Sequence, residues 1–294
     1  MSISTIVAAL ALETDNDPIM GRALQLARTH NARLLFVHVI EEPHLRESRL
    51  PGPVDVTSIR AMQKQDAVER IKRLTGSSQP SIVADIVVDA GKPFQIIDEV
   101  AERNGADLIV IGPGNAKSLR EKVFGSTADR VVRSSTRPVL VVKSAAFDPY
   151  QRIVGATDFS AASTAAIQAA ILLAPSALVE FVHVIEIPLG FELAMLKAGT
   201  SQAEIDRYRR AKASDARKQM RVAFAEIDSS NTRPRLTIIQ GSATHVLVRL
   251  ARSGRTDLIA AGTHGRGAIS QALLGSVASR LLQMAKCDVL VGSG

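Results

Sequence analysis

Four small residues in this chain have the types and the spacing to do chemistry. Gly262 and Gly265 lie three apart, and after a nine-residue spacer Gly275 and Ser276 open an apolar run. The whole stretch, Gly262 to Val277, reads GTHGRGAISQALLGSV. Glycine lets the backbone approach a ligand with no Cβ in the way. A helix N-terminus adds unbonded N–H groups and the positive end of the helix dipole. Together they favour a polyphosphate. Taken singly, each glycine also reads as a tight turn. The order of strand, glycine loop, spacer and Gly-Ser is more specific than any one of them.

Other polar groups are weaker candidates. His264 lies inside the loop, either as a phosphate contact or base or, more commonly for loop polar groups, as a solvated side chain. Arg266 follows Gly265, either near the phosphates or as a solvated surface arginine. Asp158 has no second carboxylate at motif spacing, which favours binding over acid–base work. His38 and His183 occupy equivalent strand positions and read as packed, hydrogen-bonded residues rather than metal ligands. No HExxH, CxxC or GxSxG occurs, so neither a zinc motif nor a nucleophile elbow is present. The fragment NAKS at Asn115–Ser118 lacks the glycines of a Walker loop.

The elements that must hold these residues come in two copies. FVHVIE occurs at Phe36–Glu41 and at Phe181–Glu186, ADLIVIG at 106–112 echoes TDLIAAG at 256–262, and VFGSTADRVV at 123–132 echoes LLGSVASRLL at 273–282. A repeat this long means two domains rather than a solenoid unit, expected at 1–147 and 148–294, with Asp148–Pro149 as the turn between them. In the first copy, apolar runs at Thr5–Leu12, Leu34–Ile40, Ile82–Val88, Leu108–Ile111 and Val139–Val142 read as strands. Helical patterns at Ile19–His30, Asp55–Leu74, Pro93–Asn104 and Ser126–Ser134 alternate with them. In the second copy the strands are Ile153–Thr157, Val179–Ile185, Arg235–Ile239 and Leu258–Ala261, with a long basic helix over Ser201–Ile227. Such alternation predicts an α/β fold of two tandem, doubly wound five-stranded parallel sheets. Ligands in such sheets bind beyond the carboxyl ends of the strands.

Composition narrows the function classes. With 46% hydrophobic residues over 294, the chain can build real cores. The single Cys287 excludes an internal disulfide framework and fits a reducing, cytoplasmic setting. The N-terminus has no basic region before its short apolar run and reads as a first strand rather than a signal peptide, and no apolar stretch reaches membrane-span length. A net charge of +7 suits an anionic ligand, but 3% aromatics with no Trp argue against a base-stacking nucleic-acid platform.

The TDFS turn at 157–160, the His183–Val184 pair and the G-x2-G-x9-G-S loop resemble the universal stress protein family, over essentially the whole chain as two tandem copies. The resemblance implies an adenine nucleotide alpha hydrolase-like fold, with the copies packed as a pseudo-dimer through their last strands, and a further homodimer as an option. It implies ATP, with or without magnesium, as the ligand. Asp158 would contact the adenosine, Ala156 and Val184 would line the base pocket, and Ala261 and Gly262 would flank ribose and phosphates. Gly265, Gly275, Ser276 and Val277 would cradle the phosphates. The first copy departs from this pattern: Ala11 stands where the second has Asp158, and Asn115 where it has Gly265, while Gly112, Gly125 and Ser126 remain. The expected function is stress-response regulation with ATP bound mainly in the second copy. Slow ATP hydrolysis or adenylation in the same pocket and a nucleotide-independent scaffold are the rival readings.

Overall fold

The computed structural model describes residues 2–14, 17–41, 56–78, 84–114, 125–145, 147–225, 234–265 and 274–292. The chain divides into two compact units, Met1–Pro149 and Tyr150–Gly294. Along the first unit run β1 (Thr5–Ala9), α1 (Pro18–His30), β2 (Arg33–Ile40), α2 (Val56–Ser78) and β3 (Ala84–Ala90). They are followed by α3 (Pro93–Arg103), β4 (Leu108–Ile111), α4 (Ser126–Ser134) and β5 (Val139–Val141). The second unit runs β6 (Arg152–Ala156), α5 (Ala161–Leu173), β7 (Leu178–Ile185), α6 (Leu189–Lys197) and α7 (Gln202–Ala225). It ends with β8 (Arg235–Gln240), α8 (Ala243–Ala251), β9 (Leu258–Gly262), α9 (Ser276–Met284) and β10 (Asp288–Gly292).

Within the first unit the strands pair in parallel in the order β3-β2-β1-β4-β5. Within the second the order is β10-β9-β6-β7-β8, again parallel. Central strands are buried on both faces, which is why they read as unbroken apolar runs: Ile6, Val7, Ile109 and Val110 in one unit and Ile259, Ala260 and Leu290 in the other have no exposed surface. Asp17 caps α1 by accepting from the Ile19 N–H at 2.9 Å, Pro18 sets its first turn, and Gly105 follows α3 at φ 60°.

An aspartate repeated in both units starts each central strand. Asp107 Oδ2 accepts from the N–H groups of Ser4 (2.8 Å) and Thr5 (3.0 Å) and from the Ser4 hydroxyl (2.7 Å). Asp257 Oδ2 accepts from the N–H groups of Gln151 and Arg152, both at 2.9 Å.

Helix α5 packs close against its sheet where the strands beneath it offer glycine. A Cβ on Gly262 would stand 2.6 Å from the Ser163 nitrogen, and one on Gly292 would stand 2.6 Å from the Ala166 nitrogen. Strand β1 ends at Ala9 rather than at Leu12, because Leu12 takes φ 55°, a left-handed turn that strand geometry excludes. Helix α6 has no counterpart in the sequence reading. Its apolar residues do not form one stripe, and Phe191, Leu193 and Leu196 remain about half exposed. It is tied to α7 by Arg209, whose Nη2 donates to both oxygens of Glu192 at 2.7 and 2.8 Å.

Candidate functional site

The site is built on the turn that follows β6. The Thr157 N–H still bonds to the Val182 carbonyl (2.9 Å), and the chain then reverses through Phe159 at φ 65°. The Phe159 N–H donates to Thr157 Oγ1 (3.0 Å) and the Ser160 N–H to Asp158 Oδ1 (3.0 Å). Ser160 then caps α5 by accepting from the Ser163 N–H (3.2 Å). These short-range bonds fix the Asp158 side chain on its own turn through Oδ1. Its other oxygen is aimed elsewhere: a Cβ on Gly265 would lie 3.0 Å from Asp158 Oδ2. Residues more than a hundred positions apart in sequence therefore meet, and only glycine leaves the space beside the carboxylate open.

The loop after β9 completes the arrangement. The Thr263 N–H bonds to the Gly292 carbonyl (2.9 Å), and the Gly275 N–H bonds back to the Thr263 carbonyl (2.7 Å). That second bond places the start of α9 next to the start of the loop. Gly275 is the N-cap of α9 and has no side chain to bond the first-turn N–H groups, which leaves them and the dipole for another acceptor. Ser276 is exposed at the first helical position and Val277 is half-buried behind it.

His264 differs from a solvated loop side chain. Its Nδ1 lies 2.9 Å from Thr263 Oγ1, and its Nε2 is buried with no hydrogen-bond partner among the described residues. Arg266, together with 266–273 of the loop, lies outside the described residues. The side chains of Ala156 and Ala261 are buried, at 6% and 3% exposure, so only their backbone is available to a ligand. Gly262 serves packing first, since it admits α5 to the sheet. Val184 lines a cavity of about 530 Å³ that also takes in Phe159 and His183. Sequence spacing gives no sign of that cavity's far wall, which comes from Phe191 of α6 and from Tyr208, Lys212 and Asp215 of α7. Among the described residues no cluster of His, Cys, Asp and Glu is suited to a metal ion, and no helix is long and apolar enough to cross a membrane.

The same frame exists in the first unit. The Leu10 N–H bonds to the Val37 carbonyl (2.8 Å), Leu12 is left-handed at φ 55°, and His38 Nδ1 lies 2.9 Å from the Leu10 carbonyl. In the second unit His183 Nδ1 lies 2.8 Å from the Thr157 carbonyl. These matches make Ala11 the positional counterpart of Asp158. The Gly125 N–H bonds to the Pro113 carbonyl (2.9 Å), as Gly275 does to Thr263. Here, however, Gly114 takes the place of His264, and a Cβ on Gly114 would stand 2.8 Å from the Gly125 Cα. Asn115 lies outside the described residues.

Comparison with known proteins agrees with this architecture. The sequence model described as "Universal stress protein family" matches residues 3–143 and again 149–292. The chain is 30% identical over 130 residues to Universal stress protein YxiE of Bacillus subtilis, covering 42% of this chain and 88% of that protein. It is 26% identical over 249 residues to Universal stress protein Mb2028c of Mycobacterium bovis, covering 77% of this chain and 74% of the relative. A crystal structure of a universal stress protein from Archaeoglobus fulgidus superposes with a TM-score of 0.71 at 17% identity, over 100% of this chain and 99% of that one, a likeness of fold. With the family matched once in each unit, the chain belongs to the universal stress protein family, as two domains in tandem.

Proposed function

We propose that the second unit binds an adenine nucleotide, ATP in the first instance, and that the protein acts as a nucleotide-responsive regulator of the stress response. The observation that carries this reading is the approach of Asp158 Oδ2 to Gly265, beside the uncapped N-terminus of α9. A fixed carboxylate accepts from ribose hydroxyls, as an acidic residue does in other doubly wound nucleotide sites. Free N–H groups at a helix start attract phosphate. The cavity beside the turn offers Val184 and Phe159 to a base. The buried Nε2 of His264, without a partner among the described residues, supplies one more polar atom next to the loop. Magnesium would arrive on the phosphates, and a cytoplasmic setting fits both ATP and the buried Cys287, which forms no disulfide.

Calorimetric titration with ATP tests the reading. One equivalent should bind per chain, because Ala11 offers the first unit no carboxylate. Asp158→Ala should weaken binding about tenfold to hundredfold, the worth of one unpaired polar contact. Two equal sites in the wild type, or undiminished affinity in a folded variant, overturns it. Phosphate release in the presence of magnesium separates turnover from binding.

A further inference from the structure

The cavity of about 530 Å³ lies between the C-terminal end of β7 and the α6–α7 hairpin. Its size falls within the roughly 300–1,000 Å³ typical of small-molecule sites. One wall is Phe159, the residue after Asp158, with its ring centroid 4.5 Å from that of His183. The Thr157 carbonyl can only accept, so His183 Nδ1 at 2.8 Å carries the proton, and this bond holds the ring in place. Across the cavity stand Phe191 and Tyr208, with centroids 6.2 Å apart. Aromatic faces on both sides suit a planar ligand.

Helix α7 lines the cavity with the Gln219 amide and with two opposite charges, Lys212 and Asp215. Lys212 Nζ lies 5.5 Å from the Tyr208 ring centroid, and Asp215 follows three residues later, both exposed. Opposite charges at this spacing ordinarily pair. Here neither has an ion pair or hydrogen bond among the described residues, although Arg209 on the same helix pairs with both Glu192 and Asp206. The cavity's other carboxylate, Glu186, already accepts from the Ala243 N–H at 3.3 Å. One charged acceptor and one charged donor therefore stand unspent in the lining of an aromatic slot that begins at Phe159, the residue after Asp158.

We propose that Asp215 and Lys212 set the base specificity of the site, Asp215 accepting from the 6-amino group of adenine and Lys212 donating to a ring nitrogen. This rests on the nucleotide reading above. A carboxylate only accepts, so a 6-oxo purine would turn its own acceptor oxygen toward Asp215 and be rejected.

The test compares ATP with inosine triphosphate, which share ribose and phosphates and differ at the 6-position. Calorimetry on the full chain should show wild type preferring ATP. Asp215→Asn, whose amide both donates and accepts, should lose about tenfold for ATP and gain for inosine triphosphate. Lys212→Met should weaken ATP binding. If wild type binds ATP but the ratio is the same in wild type and Asp215→Asn, the specificity assignment falls and nucleotide binding stands. If wild type binds neither nucleotide, both fall.

Discussion

Replacing Gly262 by alanine adds one methyl group at one of the two closest glycine contacts in the second unit, the other being Gly292. That methyl would stand 2.6 Å from the Ser163 nitrogen and 2.8 Å from the Ala162 carbonyl carbon, both backbone atoms of the first turn of α5. Ordinary contact begins near 3.4 Å, so the start of α5 must retreat by about 0.8 Å. Overpacking of this kind costs about 1–3 kcal/mol. For a unit of this size that is about 2–4 °C of melting temperature per kcal/mol. The retreat also carries the Asp158–Ser160 turn with it, because Ser160 is the N-cap of α5. ATP affinity should therefore fall together with stability. Gly76→Ala is the control: Gly76 is exposed on α2 with nothing within 4 Å of its Cβ position, so the same change should stabilise by about 0.5–1 kcal/mol. Thermal melts of both variants, with ATP titrations, decide the matter. If Gly262→Ala melts and binds like wild type, close seating of α5 is not what that glycine provides.

Gly275→Val should fold yet lose ATP binding: its Cβ would stand 3.1 Å from the Thr263 carbonyl, a contact the loop relieves by shifting a few tenths of an ångström, and its methyl groups would cover the helix start. Unchanged affinity in a folded variant would contradict this. Acid stability should depend on Asp107, where burial opposes the charge but the bonds from Ser4 and Thr5, with Arg137 nearby, outweigh it and hold the carboxyl below its ordinary value. The fold thus prefers the carboxylate, so this stabilisation is present above the ordinary carboxylate range and is lost as pH falls through the lowered pKa. Asp107→Asn should cost about 1 kcal/mol near neutral pH and flatten the acid limb of a denaturation curve, and an unaltered acid limb would count against it.

What the sequence made legible was chemistry held in short spacing. The glycines at 262, 265 and 275, the Gly-Ser helix start and the TDFS turn could be read because each depends on neighbours a few residues away. The doubly wound order followed from unbroken apolar strands alternating with helices. The reason for Gly262 was not legible, since it lies in a helix a hundred residues earlier in the chain. The burial of His264 Nε2 and the job of Asp107 and Asp257 in the repeated ADLIVIG and TDLIAAG strings were hidden for the same reason. The wall made by Phe191, Tyr208, Lys212 and Asp215 depends on how α6 folds back on α7, and α6 has no amphipathic stripe to announce it.

Leu12 at φ 55° and Phe159 at φ 65° hold the same left-handed turn, though Leu12 follows an alanine and Phe159 an aspartate. Bulky residues resist this conformation by roughly 1–2 kcal/mol, so the surrounding fold must impose it. The turn is thus inherited with the scaffold and does not depend on a ligand to shape it. Between the two copies this separates backbone conformation, which they share, from side-chain identity, which they do not. The first unit carries Ala11 at the same backbone address where the second carries Asp158. A carboxylate can therefore be installed in the first unit by a single substitution, and the turn is where an engineer would begin.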